Sequence, residues 1–136
     1  MTPTARTLAA LRSDGYTPAV VEAWIPRLNI RRDLFGVGDV LAVRPGTPPL
    51  LIQCTTGDHH SNRVNKAKSE SRLRAWLQSG ATFEVWSWSK RDDQWECRKT
   101  PLVLDEIDIR AIEPPRQRQK HEENLFTLNT EPIEMF

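Results

Sequence analysis

Asp39-Val40-Leu41-Ala42-Val43 and Leu50-Leu51-Ile52-Gln53-Cys54-Thr55, separated by Arg44-Pro45-Gly46-Thr47-Pro48-Pro49, decide the fold. Each flank is a short, mostly apolar run. The six residues between them are rich in proline and glycine, which end strands and form turns. Residues 39–55 therefore read as an antiparallel hairpin with a proline-rich loop. Asp39 opens its first strand just after Gly36-Val37-Gly38, where the backbone is free to bend.

Outward from the hairpin, the period of the pattern changes. From Ser61 to Ser79, Val64, Ala67, Ser71, Arg74 or Ala75, and Gln78 trace one face, which Leu73, Trp76 and Leu77 thicken late in the segment; with Ser61 as a cap and Gly80 as a stop, this predicts one continuous helix. Thr82 to Trp88 alternates as a strand does, Lys90 to Gln94 is a polar turn, and Trp95 to Arg98 returns as a further strand. Upstream, residues 4–14 predict a short amphipathic helix between Thr4 and Gly15. Val20, Val21, Ala23, Trp24 and Ile25, bracketed by Pro18 and Pro26, predict one buried strand.

The resulting order is helix, three strands, helix, two strands. A helix that returns the chain to a neighbouring strand usually sets the two strands parallel, so the expectation is an α/β domain with a mixed central sheet flanked by helices. Residues 1–113 form that domain. From Pro114 to Phe136 apolar periodicity is lost, and an extended or partly disordered C-terminal tail is expected, pinned by Leu125, Phe126, Leu128 or Phe136.

The bulk composition excludes little. The chain has 136 residues, enough for one domain and not two, and a formal net charge of +1, so any basic surface depends on how charges are distributed. No run of about 18 apolar residues is present, and the N-terminus lacks a secretory pattern. No membrane association is expected. Cys54 and Cys97 lack a CxxC spacing and fit reduced thiols in a cytoplasm. Cys54 with His59 and His60 matches no common zinc module.

The chemistry concentrates on the hairpin. Gln53 and Thr55, two apart on one strand, share a face, while Cys54 points the other way. With Asp39 they bring three oxygen-bearing groups to the end of an apolar hairpin, where each needs a partner. Bonds within a strand-end network and bonds to a ligand satisfy that need equally well. The helix that follows carries Arg63, Lys66, Lys68, Arg72 and Arg74, a solvated face or a phosphate-binding one. Trp76, Trp86, Trp88 and Trp95 read as core or sheet-face packing rather than base-stacking platforms. Arg27, Arg31 and Arg32 read as solvated loop arginines, with help in binding DNA as the alternative.

Glu22, Arg32-Asp33-Leu34-Phe35-Gly36, Gly38-Asp39 and Ile52-Gln53-Cys54-Thr55 together resemble the signature region of the restriction-endonuclease-like, or PD-(D/E)XK, nucleases. The resemblance covers residues 4–100 and is similar to small phage-type and Holliday-junction-resolvase-like members. It implies a Mg²⁺-dependent (or Mn²⁺-dependent) DNA nuclease, borne by a phage or mobile element. In that family an Asp and the acid of a (D/E)xK element hold the metal, and the Lys serves the attacking water. Asp39 falls at the metal-ligand Asp, Gln53 where the family has an acid, and Thr55 where it has Lys. Glu22, or alternatively Asp33, would supply a second carboxylate, and Lys66 or Lys68 would stand in for the missing Lys. The resemblance thus implies Asp39, Gln53, Thr55 and Glu22 as catalytic residues, with Asp39, Gln53 and Glu22 on the metal. It implies Arg63, Lys66, Lys68, Arg72 and Arg32 on DNA, and a homodimer, since members that prefer branched DNA often pair. The departures at Gln53 and Thr55 equally suit a catalytically silent member that binds nucleic acid or a protein.

Overall fold

A computed structural model describes residues 1–107; the tail expected from Pro114 to Phe136 lies outside the described residues. The helix α1 (Pro3–Ser13) leads into an edge strand β1 (Thr17–Val20), then a small hairpin, β2 (Ala23–Ile25) and β3 (Ile30–Arg32). The central hairpin follows as β4 (Val40–Val43) and β5 (Leu50–Thr56). Two helices, α2 (His60–Lys68) and α3 (Ser71–Gln78), return the chain to a long pair, β6 (Thr82–Arg91) and β7 (Gln94–Leu102).

The five-stranded sheet runs in the order β1-β4-β5-β6-β7. β1, β4 and β5 pair antiparallel, β5 and β6 pair parallel from Leu50↔Thr82 to Thr56↔Trp88, and β6 and β7 pair antiparallel. This is the mixed α/β sheet that the patterning predicts. The parallel pair requires a crossover, which α2 and α3 supply. Alternation along β5 divides the core in two. Leu50, Ile52 and Cys54 join Val40, Ala42 and Trp86 under Leu11 of α1. Leu51 turns to the opposite face and packs with Phe83, Val85, Ala67 of α2 and Leu73 of α3.

Three local expectations are corrected. The continuous helix over 61–79 is two helices. Ser69 Oγ donates to Lys66 O at 2.8 Å, and Glu70 takes an extended conformation while its carboxylate accepts from Arg72 N. Serine side chains compete for backbone groups in this way, and Ser69-Glu70-Ser71 was the signal in the sequence. The start of α1 is capped by Thr2, whose Oγ1 accepts from Ala5 N at 3.0 Å, rather than by Thr4. The buried strand expected over Val20–Ile25 does not exist. Pro18 sits inside β1, where an edge strand tolerates its missing N–H. The chain then leaves the sheet, and Ala23–Ile25 pairs only with Ile30–Arg32, leaving Trp24 52% exposed.

The final hairpin is longer than the pattern suggests. Asp92 and Asp93 both adopt positive φ, at 50° and 60°, the two-residue turn whose twist matches that of the strands it joins. Leu34 bridges Gly38 across a tight turn in which Phe35 and Gly36 have φ of 54° and 72°. This turn delivers Asp39 to the edge of β4. Gly38 is obligatory there: a Cβ would stand 2.3 to 2.6 Å from the Leu51 side chain. Gly38→Ala is expected to destabilise the fold by about 1–3 kcal/mol through overpacking. Urea denaturation of Gly38→Ala, Leu51→Ala and the double variant checks this, with the double falling well short of additivity because the shortened side chain removes the clash.

Candidate active site

Asp39 immediately precedes β4, and its N–H donates to Ile52 O at 2.9 Å. Continuing the Val40↔Ile52 register by one residue sets Asp39 opposite Gln53. Asp39, Gln53 and Thr55 are all buried, at 7%, 6% and 7% exposure. By alternation Gln53 and Thr55 lie on the α2/α3 face of the sheet, away from Cys54. The structure thus brings together the three residues that the hairpin pattern singles out.

Their partners differ. Asp39 Oδ1 accepts the Cys54 N–H at 3.0 Å, so the carboxylate clips the edge of β4 to β5. Burial raises the Asp39 carboxyl to about 6, the Cys54 hydrogen bond opposes that rise, and the charges of Asp33 and Glu22 add to it. Of the two carboxylates, Asp33 contributes ahead of Glu22. Glu22 instead faces Arg31, Oε2 to Nη1 at 3.7 Å. Gln53, with its amide oriented by the surrounding acceptors, donates from nitrogen to Val37 O at 2.6 Å and to Asp33 Oδ2 at 3.3 Å. It therefore braces the turn that carries Asp33 and Asp39. Among the described residues no group of three or more His, Cys, Asp or Glu side chains is placed to hold a metal ion. The oxygen set is one buried carboxylate, one amide and two carboxylates in electrostatic reach.

The basic helix divides into committed and open cations. Arg72 pairs with Glu70 at 2.7 Å, and both side chains cover Gly36, where a Cβ would lie 2.8 Å from the guanidinium. Arg74 donates to Leu104 O at 3.4 Å. Lys66 is exposed, and Arg63 and Lys68 are half-buried. No hydrogen bond or ion pair joins Lys66 or Lys68 to Asp39, Gln53 or Thr55 among the described residues. Arg32 is exposed on β3.

His60 is a residue whose place the sequence did not disclose. It opens α2 and is 2% exposed. Its Nδ1 meets Ser87 Oγ at 2.7 Å and its Nε2 meets Thr100 Oγ1 at 2.7 Å. Burial and then Arg98 lower its pKa, which favours the neutral ring, and its two hydrogen bonds tie α2 to β6 and β7. Ser87 belongs to the α2/α3 face, whereas Cys54 points toward α1, so these residues do not converge on zinc. His59 is exposed, beside Asp58 at 3.7 Å. The four tryptophans read as packing residues are mostly that. Trp86 is buried, Trp76 donates to Thr82 O at 2.8 Å, and Trp88 donates to Thr7 Oγ1 at 2.9 Å. Trp95 is 44% exposed under the Arg6 guanidinium.

The raised Asp39 pKa carries a stability consequence. The folded state holds its proton to about 6 whereas the unfolded chain releases it near 3.8, so the contribution of Asp39 to folding is greatest below 3.8 and is lost as pH rises toward 6. Asp39→Asn keeps an oxygen for the Cys54 N–H and removes the buried charge. It is expected to be more stable than wild type at pH 7, by up to about 3 kcal/mol. Thermal melts across pH 4 to 7 check it: the gap should open between about 4 and 6 and stay flat above. No family model, curated protein or solved structure matches this chain, so the reading of the site rests on its own geometry.

Proposed function

We propose that the chain is a Mg²⁺-dependent nuclease acting on DNA, built on a restriction-endonuclease-like core with Asp39 at its metal site. The observation that carries the reading is a buried carboxylate kept at a cost. Asp39 is held opposite Gln53 with its pKa raised to about 6, and Asp33 and Glu22 add negative charge rather than relieve it. A divalent cation would offset both the desolvation and the crowding. With the β2–β3 hairpin taken as an insertion between β1 and β4, the remaining elements follow the order that the resemblance implies.

The donor set suits Mg²⁺ better than a softer metal. Mg²⁺ takes oxygen ligands and commonly uses only one or two carboxylates, completing its shell with waters and substrate phosphate. Asp39 would hold it, with the Gln53 carbonyl oxygen and Glu22 or Asp33 as further ligands. When bound, the metal polarises the phosphate and lowers the pKa of water beside it. The chain's own part is to position the strand. Arg63, Lys66, Lys68, Arg72 and Arg32 supply phosphate contacts around the site. Thr55 offers a hydroxyl and no positive charge. Among the described residues no helix is long and apolar enough to cross a membrane.

A second reading, a catalytically silent member that binds nucleic acid or a protein, draws on Gln53 and Thr55. The Gln53 amide is engaged with the Val37 carbonyl and Asp33, and Thr55 cannot replace a Lys. Cleavage of labelled single-stranded, duplex and four-way-junction DNA with Mg²⁺ or Mn²⁺ separates the readings. Wild type is expected to cut and Asp39→Ala to lose roughly 100-fold or more of the rate. Thr55→Lys is expected to raise the rate by about tenfold or more, by adding the missing charge. Absence of metal-dependent cutting in both wild type and Thr55→Lys would leave the silent member. Metal affinity, followed by the rise in melting temperature on adding Mg²⁺, should strengthen as pH rises through about 6, since ion and proton compete for Asp39.

A further inference from the structure

The hairpin of β2 and β3 stands outside the main sheet and, among the described residues, pairs with no other strand. Trp24 and Arg31 are cross-strand partners, so their side chains share one face, and Glu22 precedes them on that face by the strand period. Together these three line an open cavity of about 290 Å³. That volume lies just under the usual range for drug-sized ligands, about 300–1,000 Å³, and suits a single planar ring system. The indole is 52% exposed, and the Arg31 side chain, despite Glu22, is 70% exposed. Arg32 on the other face and Arg27 at the tip are exposed cations. Between Glu22 and Arg32 three arginines stand against one carboxylate, which complements a polyanion.

The cavity adjoins the candidate site through Glu22, whose chain neighbour Val21 donates its N–H to Asp39 O at 3.0 Å. We propose that Trp24, with Arg31 beside it, stacks one unpaired base of a DNA strand whose neighbouring phosphate lies over Asp39, making single-stranded or locally unpaired DNA the substrate. A base within a duplex offers only its edges to a protein, because its faces are already stacked. An exposed indole can therefore be used only by a base that has left the stack. The arginines grip phosphates on either side. The inference rests on the reading of Asp39 as a site for DNA, and its test is arranged so that the two can fail separately.

Binding of the full chain to a fluorescent oligothymidylate, and to a fully paired duplex of matched length, would be measured in EDTA, where hydrolysis has no part. The comparison takes wild type, Trp24→Ala, Trp24→Phe and Arg27→Ala/Arg32→Ala, each checked for folding by circular dichroism. Wild type is expected to favour the single strand. Trp24→Ala should weaken single-strand binding about tenfold or more, with Trp24→Phe keeping most of it. The double arginine variant should reduce the salt dependence of binding by about two phosphate contacts. Unchanged binding by Trp24→Ala, preference for the duplex, or no binding at all would overturn the proposal. So would a hairpin whose Trp24→Ala variant changes only self-association in size-exclusion chromatography, since it would then be an interface between copies. Trp24-dependent binding without metal-dependent cutting would sink the hydrolytic reading alone; cutting indifferent to Trp24 would sink the stacking alone.

Discussion

The parallel pairing of β5 with β6 is the constraint on which the rest of the molecule depends. Every other pairing in the sheet is antiparallel and can be closed by a turn. This one demands that the chain cross a face of the sheet, and α2 and α3 are the crossing. β5 is consequently hydrogen-bonded on both edges and covered on both faces, buried along its length to Thr55. A polar side chain on such a strand has nowhere to go but into a defined partnership. Gln53 and Thr55 are held to one position by this enclosure, and Asp39 is held to them through the Cys54 N–H.

The main sheet was legible because its pattern obeys simple periods. Val40 to Val43 and Leu50 to Thr55 are short apolar runs around a proline-rich loop, and the sheet uses them as such. The hairpin carrying Trp24 was not legible. Val20 to Ile25 is apolar, β-branched and aromatic, and composition alone describes a buried strand equally well. What decides otherwise is tertiary: Val21 N–H donates to Asp39 O at 3.0 Å, and beyond it, among the described residues, the chain pairs with β3 and not with the main sheet. The break at Ser69 turns on one side-chain hydroxyl competing with the helix, too local for a periodicity argument to register.

The site was legible to a similar depth. Asp39, Gln53 and Thr55 gather as the hairpin register requires. The division of labour among the acids was not visible, because it depends on a turn that presents Asp33 toward Gln53 and on Arg31 reaching Glu22. Phe35 helps hold that turn. It adopts φ of 54°, costly for a residue with a Cβ, and packs its ring 6.0 Å from Trp76 of α3. Glu70 and Arg72 close over Gly36 from the same side. The break between α2 and α3 thus has a use: it places an ion pair over the turn that positions the acids.

The two thiols occupy unequal depths beneath the first helix. Cys54 lies buried against α1, with its thiol pushed far up by burial and by Asp39, and Cys97 is half-buried with its thiol raised to about 11. Neither is a ready thiolate at neutral pH. A thiol-specific reagent therefore reaches Cys97 through small fluctuations of the sheet edge, but reaches Cys54 only when α1 lifts away. The slow phase of alkylation becomes a clock for the detachment of a single helix, a native-state opening rate that can be read without denaturant.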